Sequence, residues 1–193
     1  GLAGGEVPVG AWLKRKNTFD KNCNQMSREV VNGSTFAKND LEMAAGIATL
    51  EVLKSEKLIE AAAKRGAELR LALTRMVPGY ELMKEVRGKG LMIGVEFGPP
   101  KSLRLQASWT ALETANKGLF CQLITVPLFT DHKILTQVAG HGSHPIKLLP
   151  PPTITDADCT WVGTAFPSVL PAGHEVPGAV VALGQTFPTN PRA

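Results

Sequence analysis

Apolar positions recur along this chain with two different periods, and the switches between them mark out its elements. After the turn signal Gly4-Gly5, the residues Val7, Val9, Ala11 and Leu13 alternate with Pro8, Gly10 and Trp12. That alternation predicts a strand ending at the basic run Lys14-Arg15-Lys16. Residues 17 to 33 carry Asn, Asp, Ser and Gly without a strong period and read as a loop with a short helix. From Asp40 the spacing becomes helical. Leu41, Ala44, Ala45, Ala48 and Val52 recur at three- and four-residue steps, and Asn39 with Glu42 forms an N-terminal cap. In a second helix Leu58, Ile59, Ala62, Gly66, Leu69 and Leu73 share one face, and Pro78-Gly79 stops it.

Downstream, Glu81 to Val86 and Leu91 to Phe97 read as two strands joined by the turn Arg87-Gly88-Lys89-Gly90. Leu103 to Asn116 reads as a helix ended by Gly118. Leu119 to Ile124 and Ile146 to Leu149 are short apolar strand candidates, and Asp156 to Phe166 is a last helix after Pro150-Pro151-Pro152. Helices and short buried strands in alternation predict an α/β or α+β fold. From 167 to 193 the chain turns to Pro, Gly, Ala and Thr with no amphipathic period, so that stretch is expected to be a loosely packed tail.

Composition narrows the function classes. With 44% apolar and 20% charged residues in 193, there is material for a core, and a soluble protein is expected. No apolar run approaches the roughly 20 residues that cross a bilayer, and the opening GLAGGEVPVG lacks the marks of a signal peptide. Cys23, Cys121 and Cys159 are odd in number and form no CxxC pair, which points to a reducing, cytoplasmic setting. The net charge of +4 comes from scattered lysines and arginines, not from one basic block, so no nucleic-acid partner is expected. His141 and His144 have metal-ligand spacing, but their segment holds no third ligand, so no metal is expected. Gly1 stands inside a turn signal with no initiator methionine, and the chain is expected to be part of a longer polypeptide.

The densest cluster of small and hydroxylic residues is Asn32-Gly33-Ser34-Thr35-Phe36-Ala37-Lys38-Asn39-Asp40, directly before a helix. Small residues let a phosphate approach the backbone, hydroxyls and free amides can donate to it, and a helix N-terminus adds a favourable field. The same pattern also describes an ordinary capping loop. Ser-Thr-Phe-x-x-Asn-x-Leu resembles, however, the segment written Ser/His-Thr-Phe/Tyr-Gly-Gly-Asn-Pro-Leu in class III pyridoxal-phosphate-dependent aminotransferases. Two further stretches match in order: Val86 to Glu96 resembles the small-domain turn and strand of that family, and Ile146-Lys147-Leu148-Leu149-Pro150-Pro151 its late Ile-Arg-x-x-Pro-Pro strand. The opening Gly1-Leu2-Ala3-Gly4-Gly5, continued by Pro8-Val9-Gly10-Ala11, is similar to the segment directly after the family's Schiff-base lysine.

The resemblance implies the C-terminal portion of a fold-type I PLP-dependent transferase. Residues 1–50 would end the large PLP-binding domain, 51–166 would form the small C-terminal α/β domain, and 167–193 the tail. It implies pyridoxal 5'-phosphate as cofactor, with Thr35, flanked by Ser34, reaching the cofactor phosphate of the neighbouring subunit of a homodimer. The reaction implied passes an amino group from an amine or amino acid to a keto acid or aldehyde. No catalytic residue is expected in the chain, because the lysine would stand immediately before Gly1; Lys14, Lys16 and Lys38 occupy the wrong motif positions and read as surface residues. The chain alone is therefore expected to be inactive, the alternative being a standalone noncatalytic small domain that associates with a transaminase subunit. Ala37-Lys38 and Asp40 depart from the family's Gly-Gly and Pro, which bears on the loop path. Lys147 stands where several members have an arginine, and lysine lacks arginine's planar two-pronged donor. Lys147 reads either as a substrate contact with a relaxed or different preference or as a strand lysine reaching solvent. Arg87 is expected to make structural contacts to acidic neighbours and backbone carbonyls.

Overall fold

A computed structural model describes residues 2, 4–5, 7–11, 13–22, 39–115, 119–139 and 144–170. They belong to two compact units, Gly1–Ile59 and Glu60–Ala193.

In the first unit the glycine turn is present, with Gly4 and Gly5 at φ 68° and 101°. The strand expected from Val7 does not form after it: residues 7–11 and 13–15 are irregular. Pro8 withholds an amide from any ladder and Gly10 weakens one, so alternation there lacks the backbone chemistry of a strand. Val9 instead lies against Gly46, in ordinary contact with where a β-carbon would stand. Helix α1 (Lys16–Asn22) is the short helix expected in the next stretch. Helix α2 (Asp40–Ser55) begins where Asn39 Oδ1 accepts the Leu41 amide at 2.9 Å. Within α2 only Gly46 is buried, and Leu41, Met43, Ile47, Leu50 and Val52 are exposed. The stripe expected to form a core through Leu41 and Val52 therefore has no covering surface among the described residues.

The second unit is built on a four-stranded antiparallel sheet in the order β1-β2-β4-β3. Its strands are β1 (Met83–Lys89), β2 (Met92–Phe97), β3 (Gln137–Val138) and β4 (Pro145–Leu148). Around it stand α3 (Leu58–Thr74), α4 (Leu103–Ala115), α5 (Leu119–Thr130) and α6 (Asp156–Val169). In β2 and β4 every second side chain is buried, namely Ile93, Val95 and Phe97, then Ile146 and Leu148. These five pack with Leu69 and Leu73 of α3, Trp109 and Leu112 of α4, most of α5, and Phe166 and Val169 of α6 into one core. The helices cover this face, which leaves the alternate residues of the strands on the other.

Two boundaries shift and one element changes type. The hairpin is tighter than expected: β1 runs on to Lys89, which pairs with Met92, and the turn is reduced to Gly90 and Leu91. Gly90 takes φ 55°, and α3 approaches it so closely that a β-carbon on Gly66 would fall 2.0 Å from the Gly90 carbonyl oxygen. Leu119 to Ile124 is no strand; it opens helix α5. The mainly apolar stretch extends to Phe129, interrupted only by Gln122, Thr125 and Pro127, and such a stretch cannot be assigned by period alone, but its length exceeds that of a buried strand. The buried positions Phe120, Cys121, Leu123, Ile124 and Leu128 have helical spacing. Helix α6 runs beyond Phe166 through Pro167 to Val169, because Val169 and Leu170 are buried in the core.

Two carboxylates secure helix entries. Glu81 accepts from the Lys101 and Ser102 amides and, at 2.7 Å, from the Ser102 hydroxyl, which fixes the start of α4 to the segment ahead of β1. Asp158 accepts from the Thr155 amide at 2.9 Å while Thr155 Oγ1 accepts from the Asp158 amide at 3.2 Å, a reciprocal box at the start of α6. Among the described residues no helix is long and apolar enough to cross a membrane.

Candidate active-site surface

The sheet face away from the helices carries the polar side chains. Strand pairing sets Lys147 of β4 opposite Gly94 of β2 on one side and Gln137 of β3 on the other. Beyond Gly94, Arg87 of β1 is next in the same row. Glycine therefore separates the two cations, and a β-carbon at Gly94 would meet nothing nearer than 3.9 Å. In the neighbouring row Glu85 pairs with Glu96, a like-charge juxtaposition that destabilises a sheet unless it is neutralised. Arg87 offsets it in part: its Nη1 lies 2.7 Å from Glu96 Oε2 and 3.1 Å from Glu85 Oε1. The acidic contacts expected of Arg87 are thus present, and its charge is committed within the face. The backbone carbonyl at this turn, that of Gly88, is taken by Arg70 instead, at 2.8 Å.

Lys147 is half-buried and forms no ion pair with a described acidic side chain. A cation on a sheet face, without an acidic partner among the described residues and with only a glycine across the strand, can meet an anionic group brought to it. Ser34 and Thr35 lie outside the described residues, as does His141. The described residues bear on the cofactor at one point. The first turn of α2 is already capped by Asn39 and carries Asp40 and Glu42, so the favourable field of that helix end is spent locally.

His144, immediately before β4, is held from three sides. Its Nε2 lies 2.9 Å from Glu113 Oε1 of α4, an approach with ion-pair distance but without the alignment of a good hydrogen bond. Its ring packs against Trp109 with centroids 5.0 Å apart, and its carbonyl accepts from Cys121 Sγ at 3.2 Å and from the Phe97 amide at 3.3 Å. Burial, and after it the charge of Glu113, pushes the Cys121 thiol up to about 12. The sequence offers no local signal for this cluster, since its members come from separate elements and share no spacing. Two hollows also open on this unit. One of about 190 Å³ is lined by Leu135, Leu149, Pro150 and Val162, and one of about 470 Å³ lies between α3 and α6; Lys147 lines neither.

A family model described as aminotransferase class-III matches residues 1–170. A diaminobutyrate–2-oxoglutarate aminotransferase of Rhizobium meliloti is 33% identical over 164 residues, covering 84% of this chain and 32% of that protein. The ornithine aminotransferase of Toxoplasma gondii has a similar structure, with TM-score 0.66 and 27% identity over 90% of this chain and 35% of its own. An amine transaminase from an uncultivated Pseudomonas species, solved with PLP bound, gives TM-score 0.64 and 26% identity over 88% of this chain and 36% of its own. The chain spans about a third of the length of these proteins. The likeness bears out the expected fold, part of a fold-type I PLP-dependent transferase. With a match that runs from the glycine turn to the end of α6, the chain belongs to the class III aminotransferases, a family of pyridoxal-phosphate-dependent enzymes.

Proposed function

We propose that this chain is the C-terminal part of a transaminase that moves an amino group from an amine or amino acid to a keto acid or aldehyde. The match to the family over residues 1–170 carries the reading. Residues 1–50 belong on this reading to the end of the large PLP-binding domain and 51–166 to the small domain. Support comes from α2, which is apolar all round between Met43 and Ala48, the character of a helix enclosed in a larger body. The complete enzyme is a cytoplasmic homodimer in which Thr35, flanked by Ser34, donates to the cofactor phosphate of the partner subunit. Pyridoxal phosphate, when bound, supplies the electron sink that makes the substrate's carbon acid enough to lose a proton. On this reading the residues of this chain supply binding and orientation.

Lys147 is the substrate-facing residue on this reading, supported by the absence of a side chain at Gly94 opposite it and by the commitment of Arg87 to Glu85 and Glu96. A lysine meets a carboxylate as a single point charge, whereas an arginine grips it with two parallel donors. In an enzyme completed by a large domain, Lys147→Arg is expected to lower KM for amino-acid donors about tenfold relative to simple amines, with kcat little changed. An unchanged ratio of the two KM values would remove Lys147 from the substrate site. The chain by itself is expected not to transaminate; the absorbance of a lysine-bound cofactor with PLP together with turnover of an amino donor refutes its inactivity. The codons upstream of Gly1 decide the setting: an in-frame lysine after a large-domain reading frame supports the reading, and a start codon supports a separate subunit.

A further inference from the structure

Strand β4 has only four residues, and its apolar pattern does not fix its register. A shift by one residue would bury Lys147 in place of Ile146 or Leu148, and the core forbids that. A shift by two keeps the alternation, since Leu148 and Pro150 could occupy the places of Ile146 and Leu148. It would move Lys147 by about 6.6 Å along the sheet. The partner on one side, β3, is two residues long and offers little resistance. Something outside the apolar pattern has to distinguish the two registers.

The side-chain contacts of His144, to Glu113 and to Trp109, are of the required kind, because no residue two places away reproduces them. In either direction a two-residue shift would bring Gly142 or Ile146 to this place, and neither carries an imidazole. We propose that Glu113, acting through His144, is a positioning residue that sets the register of β4 and with it the place of Lys147. Glu113 Oε1 and His144 Nε2 are both closed to water and face each other at 2.9 Å with no other polar partner for either among the described residues, so each is the only polar neighbour the other has there, and separating them would forfeit that approach. The surroundings are rigid: Trp109 packs on Phe120 with centroids 5.0 Å apart and Phe120 on Phe97 at 5.5 Å, which ties α4, α5 and β2 together around the His144 ring. The raised Cys121 thiol keeps its proton through the neutral range and remains a donor to the His144 carbonyl. The functional importance of this clamp rests on the substrate role of Lys147, whereas its mechanical action does not.

Residue-resolved amide hydrogen exchange on the 193-residue chain tests it. Glu113→Ala is expected to speed exchange of the β4 amides at Ile146, Lys147 and Leu148 about tenfold or more, while β1 amides such as Arg87 and Lys89 change less than about twofold. Glu113→Gln, which keeps the shape and can still donate to or accept from a neutral imidazole, is expected to restore most of the protection. Should Glu113→Ala not fold, His144→Gln carries the same test. Unchanged β4 exchange overturns the proposal, and so does acceleration shared equally by β1, which would mean general loosening. Lys147→Ala is expected to leave exchange in β4 within about twofold of the parent. If the clamp behaves as expected while Lys147→Arg leaves the donor preference unmoved, the positioning stands and the substrate role of Lys147 falls.

Discussion

Gly66→Ala adds one methyl group at the tightest backbone contact described in the second unit. The new β-carbon would stand 2.0 Å from the Gly90 oxygen, 2.2 Å from its carbonyl carbon and 2.9 Å from its α-carbon. All three are backbone atoms, and Gly90 is fixed at φ 55° in a two-residue turn, so no rotamer change relieves the clash. To reach ordinary contact, α3 would have to stand back by about 1.4 Å, the difference between 2.0 Å and the 3.4 Å at which such contacts begin. Leu69 and Leu73 lie on the same stripe one and two turns later, at 2% and 0% exposure, and would be drawn from the core together. Loss of roughly half the burial energy of both leucines, together with residual strain, amounts to about 2–4 kcal/mol. Gly163→Ala is the matched comparison. It also lies inside a helix, α6, but nothing stands within 4 Å of its added carbon, so helix propensity alone operates and about 0.5–1 kcal/mol of stabilisation is expected. Urea unfolding followed by far-UV circular dichroism reads both. Gly66→Ala within about 0.5 kcal/mol of the parent, or Gly163→Ala on the destabilising side, would refute the reasoning.

The polar contacts lead to further expected outcomes. Hydrogen bonds from Ser102 and Lys101 to Glu81, and from the Thr155 hydroxyl and amide to Asp158, hold both carboxyls below their ordinary range. Their stabilisation is complete above the unfolded-state values and is lost as pH falls through the lower folded-state values. Asp158→Asn and Glu81→Gln are therefore each expected to narrow the gap in thermal midpoint between about pH 7 and about pH 3, and an undiminished gap in both variants would contradict the assignment. Arg87→Met leaves Glu85 and Glu96 facing each other; a loss of about 0.5–1 kcal/mol that shrinks in high salt is expected in unfolding titrations. With its thiol at about 12 and no exposed surface, Cys121 is expected to resist iodoacetamide in the folded chain while Cys159 is alkylated, as peptide mass mapping would report; labelling of Cys121 ahead of Cys159 would contradict the packing of α5.

Elements with one apolar and one polar face were legible in the sequence. The alternation through Ile93, Val95 and Phe97 and the stripe through Gly66, Leu69 and Leu73 both lie as their periods require. The sequence misled where period carried no information. Helix α5 is apolar on nearly every side, so only its length separated helix from strand, and the residues from Val7 alternate but include a proline and a glycine that a ladder does not tolerate. The strand around Lys147 was legible in the sequence, and the row that Lys147 shares with Gly94 and Arg87 emerged once register was known. Glu113 and His144 stand far apart in sequence on elements of different type, and no local pattern connects them. Their contact is a product of tertiary packing alone.

The strand order has a kinetic consequence. Strands β1 and β2 pair across a two-residue turn, whereas β2 must wait for β4, with Ile93 paired to Leu148 across two intervening helices. Loop closure makes the second pairing slow and the first fast. During synthesis the hairpin can therefore form once Phe97 leaves the ribosome, while the face that holds Lys147 remains unmade until β4 has emerged. A nascent chain arrested before His144 is expected to contain a protected hairpin whose open β2 edge is free to pair with another chain, which makes completion of β4 the step at which this domain escapes aggregation.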